Sequence, residues 1–445
     1  MWRNSDFRRL WLGQTASQLG EHASLVVLPL FAVLTLHASA GQLGALRAVG
    51  QMPILLLSLF VGAWVDRWRT RTTMVLADVG RALALGAAAL TGLFGLLGLP
   101  GLLALAFAVG SLSVFFDVAY QASLVRLVER DQLVRGNSAL EGSRSAAQIG
   151  GPALGGALVS LLSAPVAAAS SALFFVLSFL SIRRIRRSES LPERPERPER
   201  PEQPPEVRRR IHEGLRFVAG STALRTVCLA SAAFQFSFAA MMTVYLLFLP
   251  RELHLSGTVV GLALAATGPG ALLGALLAAH LPRRFGHGVV LVCAAALGDG
   301  VFLCVPALHH SSATTVPALL AVGFVFGFGG QLVNVTVIAV RQAVTPDGMQ
   351  GRVAATITFV GMGSTPLGSL LGGFLAQEWG LRTSLLVTAA GMLLSPVIMA
   401  LSPLALLGRE LPAAHDAPRA PTVPVRAWWR GRWRSACRRR PRGSG

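Results

Sequence analysis

Twelve apolar stretches of 18 to 26 residues follow one another along the chain, and polar or turn-forming segments separate them. The hydrocarbon core of a bilayer is about 30 Å thick, so a helix needs about 20 apolar residues to cross it. The pattern therefore predicts twelve membrane-spanning helices. They occupy residues 11–36, 44–64, 73–97, 100–125, 137–162, 165–182, 224–249, 257–280, 288–308, 315–340, 352–376 and 382–407.

Basic residues divide the connecting segments into two classes. All 40 are arginine, and 35 of them lie in or beside the N-terminal segment, the loops that follow even-numbered spans, and the tail. The other loops carry only Arg251 and Arg382. Positive side chains mark the cytoplasmic side of a membrane protein. This distribution and the even number of spans both predict that the two termini lie in the cytoplasm.

The longest polar interruption separates the sixth span from the seventh. Its proline repeat, PERPERPERPEQPP at Pro192–Pro205, cannot form a helix and favours an extended spacer. The segment Val207–Arg225 has an apolar and an arginine-rich side, which predicts an amphipathic helix on the inner membrane surface. Four parts are therefore predicted: a six-helix bundle at 1–182, a linker at 183–223, a second six-helix bundle at 224–407 and a basic tail at 408–445.

Weak internal similarity relates the two halves. Residues 126–136 before span five resemble residues 341–351 before span eleven, and Pro152 and Pro366 follow at nearly equal distances. Internal repeats of this kind are typical of transporters whose substrate site lies between two helical bundles. The predicted fold is therefore an all-α polytopic membrane protein with two pseudo-symmetric six-helix bundles.

The composition excludes several classes of function. With 53% hydrophobic and 14% charged residues, the chain has too little polar surface for a soluble enzyme of this size. The lack of lysine excludes a P-loop lysine and a Schiff base, and we expect no ATPase subunit. The four cysteines form no C-x-x-C pair. No metal, cofactor or enzymatic activity is therefore expected.

Five segments of the first half and the linker carry family-specific motifs: FRRLWLGQTASQLGE at 7–21, GAWVDRWRTR at 62–71, ADVGR at 77–81, GPALGG at 151–156 and IHEGLRF at 211–217. With these segments the chain resembles the major facilitator superfamily, and more narrowly its bacterial twelve-helix exporters of drugs and siderophores, such as enterobactin and macrolide exporters. The resemblance covers about residues 1–407 without the linker. It implies a transporter that alternates between inward and outward states.

Two of these motifs imply roles for particular residues. In the family, the loop motif acts as a conformational gate on the cytoplasmic side. The helix-five motif is associated with antiport and with sealing one half of the cavity. The alternative for the loop motif is a basic loop that only fixes the topology. The alternative for the helix-five motif is ordinary helix packing. The gate residues are Asp66, Arg67 and Arg71, and the helix-five residues are Gly151, Pro152, Gly155 and Gly156.

Charged residues inside the spans are the candidates for proton coupling, because a charge at the bilayer centre costs about 2.5–3.5 kcal/mol unless it is paired, neutral or hydrated. Glu21 lies eleven residues into the first predicted span, about 16 Å deep. It is therefore a candidate to bind and release a proton, and a permanent interhelical hydrogen bond is the alternative.

Two further groups of charges lie inside the spans. Asp78 and Arg81 share one face of helix three and predict a buried ion pair in its first turns, either part of the gate or purely structural. Asp117, Glu141 and Arg144 predict a buried charge cluster in the inner half of spans four and five, or else a structural network. The family resemblance implies an arginine in helix four, where Asp117 stands instead.

The second half has few charges and many soft, apolar side chains, which suits a bulky amphipathic ligand. The alternative is that these side chains pack in the core or contact lipid rather than bind a ligand. The candidate cavity residues are Gln235, Phe238 and Met242 on helix seven, and Gln331 and Asn334 on helix ten.

The tail after Gly408 carries ten arginines, with Trp428, Trp429 and Trp433 among them. A polybasic, tryptophan-bearing segment beside the inner leaflet favours anionic lipids as partners, and nucleic acid is not expected.

These observations predict a proton-driven exporter of a small amphipathic compound in the bacterial cytoplasmic membrane. A nutrient importer of the same fold and a non-transporting receptor or scaffold are the alternatives.

Overall fold

A computed structural model of the chain describes residues 5–65, 68–127, 133–185, 205–309, 314–346 and 349–409, and helices form nearly all of this part. The first half contains six long helices: α1 Ser5–Leu34, α2 Ala40–Val65, α3 Thr70–Leu93, α4 Leu99–Leu127, α5 Leu133–Leu161 and α6 Ala164–Arg183. The second half contains more and shorter helices: α7 Pro205–Gly220, α8 Thr222–Arg251, α9 Gly257–Ala265, α10 Thr267–Leu277, α11 Leu281–Phe285, α12 His287–Gly300, α13 Thr315–Val344, α14 Gln350–Gly363, α15 Thr365–Trp379, α16 Leu381–Met392 and α17 Leu394–Ala400, with 3-10 turns at Val301–Ala307 and Pro403–Leu406.

Ten helices or collinear helix pairs in the described part are long and apolar enough to cross a membrane. The other two predicted spans correspond to α2 and α5, which have 26 and 29 residues. Both are of spanning length, and both pack against spanning helices on either side. The prediction of an all-helical, multi-pass membrane protein is confirmed.

Several spans of the second half are broken near their middle. The breaks at Ala266, Ser364 and Leu393 each come two or three residues before a proline. Proline lacks an amide hydrogen and its ring collides with the preceding turn, so a regular helix cannot run through it without adjustment. This explains why α9 and α10, α14 and α15, and α16 and α17 form pairs within single spans.

Packing divides the long helices into two groups. In the first half, α1 packs on α5 and α6, and α3 packs on α4 and α6. In the second half, α8 is central and packs on α14, α15, α16 and α17. The two groups meet mainly where α2 contacts α15 and where α5 contacts α9.

The bundle has two ends, and the depth of a residue is its distance from one of them along the helix. The proximal end is where α1 begins, and the distal end is where α1 ends and α2 begins. Because α1 begins six residues before the predicted span, Glu21 is the seventeenth residue of the helix rather than the eleventh.

The amphipathic segment forms α7, which ends at Gly220, so the predicted end at Arg225 was too late. It packs on α14 and α8, and Glu213 pairs with Arg352 at 2.8 Å. Three sequence predictions lie outside the described residues: the gate residues Asp66 and Arg67, the proline repeat up to residue 204, and the tail from residue 410 onward.

Candidate functional site

Arg81 on α3 is the centre of a polar cluster in the first half. Its side chain is fully buried. One terminal nitrogen, Nη2, donates to Asp78 Oδ1 at 2.5 Å and to Ser17 Oγ at 2.8 Å, and the other, Nη1, donates to Ser113 Oγ at 3.2 Å. Helices α1, α3 and α4 are therefore joined through one guanidinium group.

Two aromatic rings enclose the same guanidinium. Its Cζ atom lies 4.5 Å from the ring centre of Phe116 and 4.4 Å from that of Phe175. A cation between two ring faces is held by the negative faces of the rings, most strongly where water is excluded. The position of Arg81 is therefore fixed by packing as well as by hydrogen bonds.

Asp78 and Glu21 contact Arg81 in different ways. Asp78 is fully buried and also accepts hydrogen bonds from Ser17 and Ser178. Glu21 Oε2 lies 3.5 Å from Arg81 Nη1, accepts no hydrogen bond, and belongs to a side chain that is 22% exposed. The Glu21 carboxyl also interacts with Ser113, and its contact with Arg81 is longer than that of Asp78.

Asp117 and Arg144 extend the cluster to α4 and α5. Gln18 Nε2 donates to Asp117 Oδ1 at 3.4 Å. Asp117 interacts electrostatically with Glu21, Arg81 and Arg144. Together with Asp78, the cluster holds three carboxyl groups and two guanidinium groups, so one bound proton makes it neutral.

Two expectations about these charges were wrong. The pair of Asp78 and Arg81 was expected in the first turns of helix three, but α3 begins at Thr70, so Arg81 lies about 16 Å from the proximal end. The pair therefore lies beside Glu21. Glu141 was expected in a buried cluster with Asp117 and Arg144, but its side chain is exposed.

The glycines of the helix-five motif allow α5 to approach two helices closely. A Cβ atom on Gly155 would lie 2.7 Å from the carbonyl oxygen of Ala23, next to the acidic cluster. A Cβ atom on Gly156 would lie 2.8 Å from the Cα of Gly261 on α9. Pro152 lies one turn before these glycines in a continuous helix, with its carbonyl oxygen against Gly261, and Gly151 packs on His22. The motif therefore links the cluster to the second half.

The distal end of the bundle is closed by further contacts between the halves. On one side, the amide of Thr258 donates to Ser160 Oγ at 2.7 Å. On the other side, a Cβ atom on Gly44 of α2 would lie 2.9 Å from the Cα of Gly373 on α15. Arg251 also donates to the carbonyl oxygen of Ala38 at 2.6 Å. Close backbone packing therefore seals this end.

An aromatic wall lies in the second half. Phe234 and Phe238 of α8 stack on Phe326 of α13, with ring centres 5.4 to 6.4 Å apart. Phe302 meets Tyr245 and Phe326 edge to face. The aromatic wall therefore consists of five rings in stacked and edge-to-face contact, and the predicted cavity residue Phe238 is one of them.

The other predicted cavity residues are less clearly grouped. Met242 is half-buried and packs against the main hydrophobic core, which also includes Tyr245 and Phe302. Gln235 lies near Gly361 of α14, and Gln331 lies against Gly274 of α10. Asn334 is exposed. Among the predicted cavity residues, the ring contacts place Phe238 at the aromatic wall.

Sequence reasoning missed two polar residues in α2. Arg47 and Gln51 are half-buried, and Arg47 Nε and Gln51 Oε1 are buried atoms without a hydrogen-bond partner among the described residues. Neither residue was named as a candidate in the sequence analysis, although Arg47 lies inside the second predicted span. Its location in an apolar stretch was the available signal, because intramembrane charges generally mark functional positions.

Arg71 is the gate residue that the structure describes. It donates a hydrogen bond to the carbonyl oxygen of Arg183. A proximal pocket of about 560 Å³ is lined by Arg9, Arg71, Arg183, Arg184 and Ile185.

In the described residues, no group of three or more histidine, cysteine, aspartate or glutamate side chains could hold a metal ion.

Solved structures of transporters share this architecture. A bacterial homologue of the iron transporter ferroportin in an inward-facing state has a TM-score of 0.69 and 19% identity, covering 88% of this chain and 97% of that one. The nucleoside transporter NupG has a TM-score of 0.66 and 11% identity, covering 88% and 98%. These similarities establish the major facilitator fold.

Curated relatives are more similar in sequence. The multidrug efflux pump Tap of Mycobacterium tuberculosis is 29% identical over 424 residues, covering 91% of this chain and 93% of that protein. Tap of Mycolicibacterium fortuitum is 27% identical over 392 residues, covering 86% and 92%. The model of the transmembrane secretion effector family matches residues 2–425. The chain therefore belongs to this family of major facilitator transporters, and it is a multi-pass membrane transporter of a small molecule rather than an enzyme.

Proposed function

We propose that this protein exports small amphipathic compounds from the bacterial cytoplasm in exchange for protons. The proximal end faces the cytoplasm in this proposal, since most of the arginines lie there. The observation that carries it is the position of Glu21, whose side chain is 22% exposed and whose carboxylate lies 3.5 Å from Arg81. The Tap relatives are named multidrug efflux pumps, which supports transport out of the cell.

The charge balance of the cluster explains how a proton could be linked to the substrate. Glu21 faces Asp78 and Arg81 of α3, Asp117 of α4 and Arg144 of α5, with His22 next to it in sequence. With every carboxyl group ionised the cluster carries one net negative charge. A cationic part of a substrate satisfies this charge as well as a proton does, so the two compete for it.

This competition gives an export cycle. Substrate entering from the cytoplasm displaces the proton from Glu21 into the cytoplasm. The distal contacts at Gly44 and Gly156 then open, substrate leaves, and a proton from outside takes its place. The neutral cluster favours return to the distally closed state. Asp66, Arg67 and Arg71 close the proximal end in the outward state, and Glu141 at the proximal side is an additional exposed carboxylate for proton release.

Transport of rhodamine B into inside-out membrane vesicles tests this proposal. This dye is aromatic, amphipathic and zwitterionic, and an exporter accumulates it when the vesicle interior is acidified. We expect Glu21→Gln to reduce the accumulation that depends on the pH gradient at least about tenfold, because glutamine cannot exchange a proton.

The matched control is Asp299→Asn. Asp299 is a buried carboxyl group of the second half, away from the cluster, and its substitution is expected to leave accumulation within about twofold. Accumulation by Glu21→Gln that still follows the imposed pH gradient would overturn the coupling role. Gradient-driven loss of dye from the vesicles would instead identify an importer.

A further inference from the structure

Arg47 points away from the lipid. Successive residues of an α-helix are rotated by about 100°, so residues nine positions apart lie on opposite sides. Leu56, nine residues after Arg47, is 48% exposed on the outer surface of α2. Gly44 and Gly50, which face α15 and α4, lie to either side of Arg47. Arg47 and Gln51 therefore face the interior between these two helices.

The guanidinium of Arg47 has no counter-ion among the described residues. Helix α2 packs on α1, α4, α8, α14 and α15. The acids on these helices are Asp6, Glu21, Asp117 and Glu378, and none forms an ion pair with Arg47. An unpaired cation inside a membrane bundle is costly, and such residues mark ligand or ion pathways. Gln51 adds a second unpartnered polar group one turn away.

Helix α14 contacts both α2, which carries this pair, and α8, which carries Phe234 and Phe238 of the aromatic wall. Leu55 of α2 lies against Gly363, and Gln235 of α8 lies beside Gly361. Arg47 is two turns from Leu55 toward the distal end, and Phe238 is about one turn from Gln235 in the same direction. At 1.5 Å per residue, Arg47 lies about 10 Å and Phe238 about 20 Å from the distal ends of their helices.

We infer that Arg47, supported by Gln51, binds an anionic group of the transported compound, and that the compounds concerned are aromatic carboxylates. A guanidinium group pairs with both oxygens of a carboxylate. The stacked rings of Phe234, Phe238 and Phe326, which begin about 10 Å deeper along the bundle, take the aromatic part of compounds long enough to reach both groups. This inference rests on the proposed transport function and adds a second charge preference to it, distinct from that of the acidic cluster.

Thermal unfolding of the purified full-length chain in detergent tests the inference, with sodium benzoate as the probe. Benzamide, which has the same ring without the charge, and sodium chloride at equal ionic strength are the controls. We expect benzoate alone to raise the unfolding midpoint of the wild type by about 2 °C or more. Arg47→Gln should abolish this shift, and Arg47→Lys should retain part of it.

The ligand-free proteins give a second readout. Arg47→Gln should unfold at a higher temperature than the wild type without benzoate, because it removes an unpaired intramembrane charge. Glu21→Gln should retain the benzoate shift, so failure of proton coupling and failure of the anion site give different results. Equal shifts with chloride or benzamide, no benzoate shift in the wild type, or an unchanged shift in Arg47→Gln would overturn the inference.

Discussion

Replacement of Arg81 by glutamine is expected to lower the free energy of unfolding by about 3–5 kcal/mol, the cost typical of removing one partner from a buried ion pair. Asp78 would remain fully buried without its cation, while Phe116 and Phe175 would lose the group between their rings. Denaturation of the purified protein in detergent measures this loss. We also expect export by this variant to fall to background.

The control for this prediction is the double variant Asp78→Asn with Arg81→Gln. Removing both charges leaves no buried charge at position 78 without its cation, so the double variant should be more stable than Arg81→Gln alone. If the destabilisation of the two single variants simply adds in the double variant, Asp78 and Arg81 are not coupled. The central role of this pair in the cluster would then be refuted.

Replacement of Gly156 by valine is expected to prevent closure of the distal end and to reduce export at least about tenfold. The new side chain would collide with the backbone of Gly257 and Gly261, which cannot move aside without separating α5 from α9. A state that cannot close distally cannot complete the cycle. Export of rhodamine B from intact cells measures the loss of activity.

Cross-linking reports the closure itself. In a chain without its native cysteines, Ser160→Cys with Thr258→Cys should form a disulfide, since Ser160 Oγ and the Thr258 amide are 2.7 Å apart. Gly156→Val should suppress that cross-link. Gly150→Val is the matched control on the same helix, because a Cβ atom there meets nothing within 4 Å. Equal cross-linking in both variants would show that Gly156 does not control distal closure.

Local spacing in the sequence predicted some parts of the site correctly. The pair of Asp78 and Arg81 follows from helical periodicity, which brings residues three apart onto one face. Phe238 was predicted as a cavity residue from its own helix, and its stacking partner Phe326 comes from an element far away in sequence. Periodicity within one helix cannot identify such partners, because they depend on how helices pack.

Depth and burial were harder to predict. Hydropathy sets the limits of an apolar stretch but not of the helix, so α1 and α3 extend beyond it and place Glu21 and Arg81 deeper in the bundle. Glu141 shares a helix face with Arg144, yet it is exposed. Arg47 is inside a span in the sequence, but only the packing around α2 shows that it faces the interior without a partner.

Proton release on ligand binding tests most directly the claim that Glu21 exchanges a proton for substrate. Rhodamine B is added to the purified protein in weakly buffered detergent solution near neutral pH, and the released protons are counted with a pH indicator. The account predicts about one proton released per bound dye by the wild type, and none by Glu21→Gln although it still binds dye. Binding without release by the wild type, or undiminished release by Glu21→Gln, would contradict it.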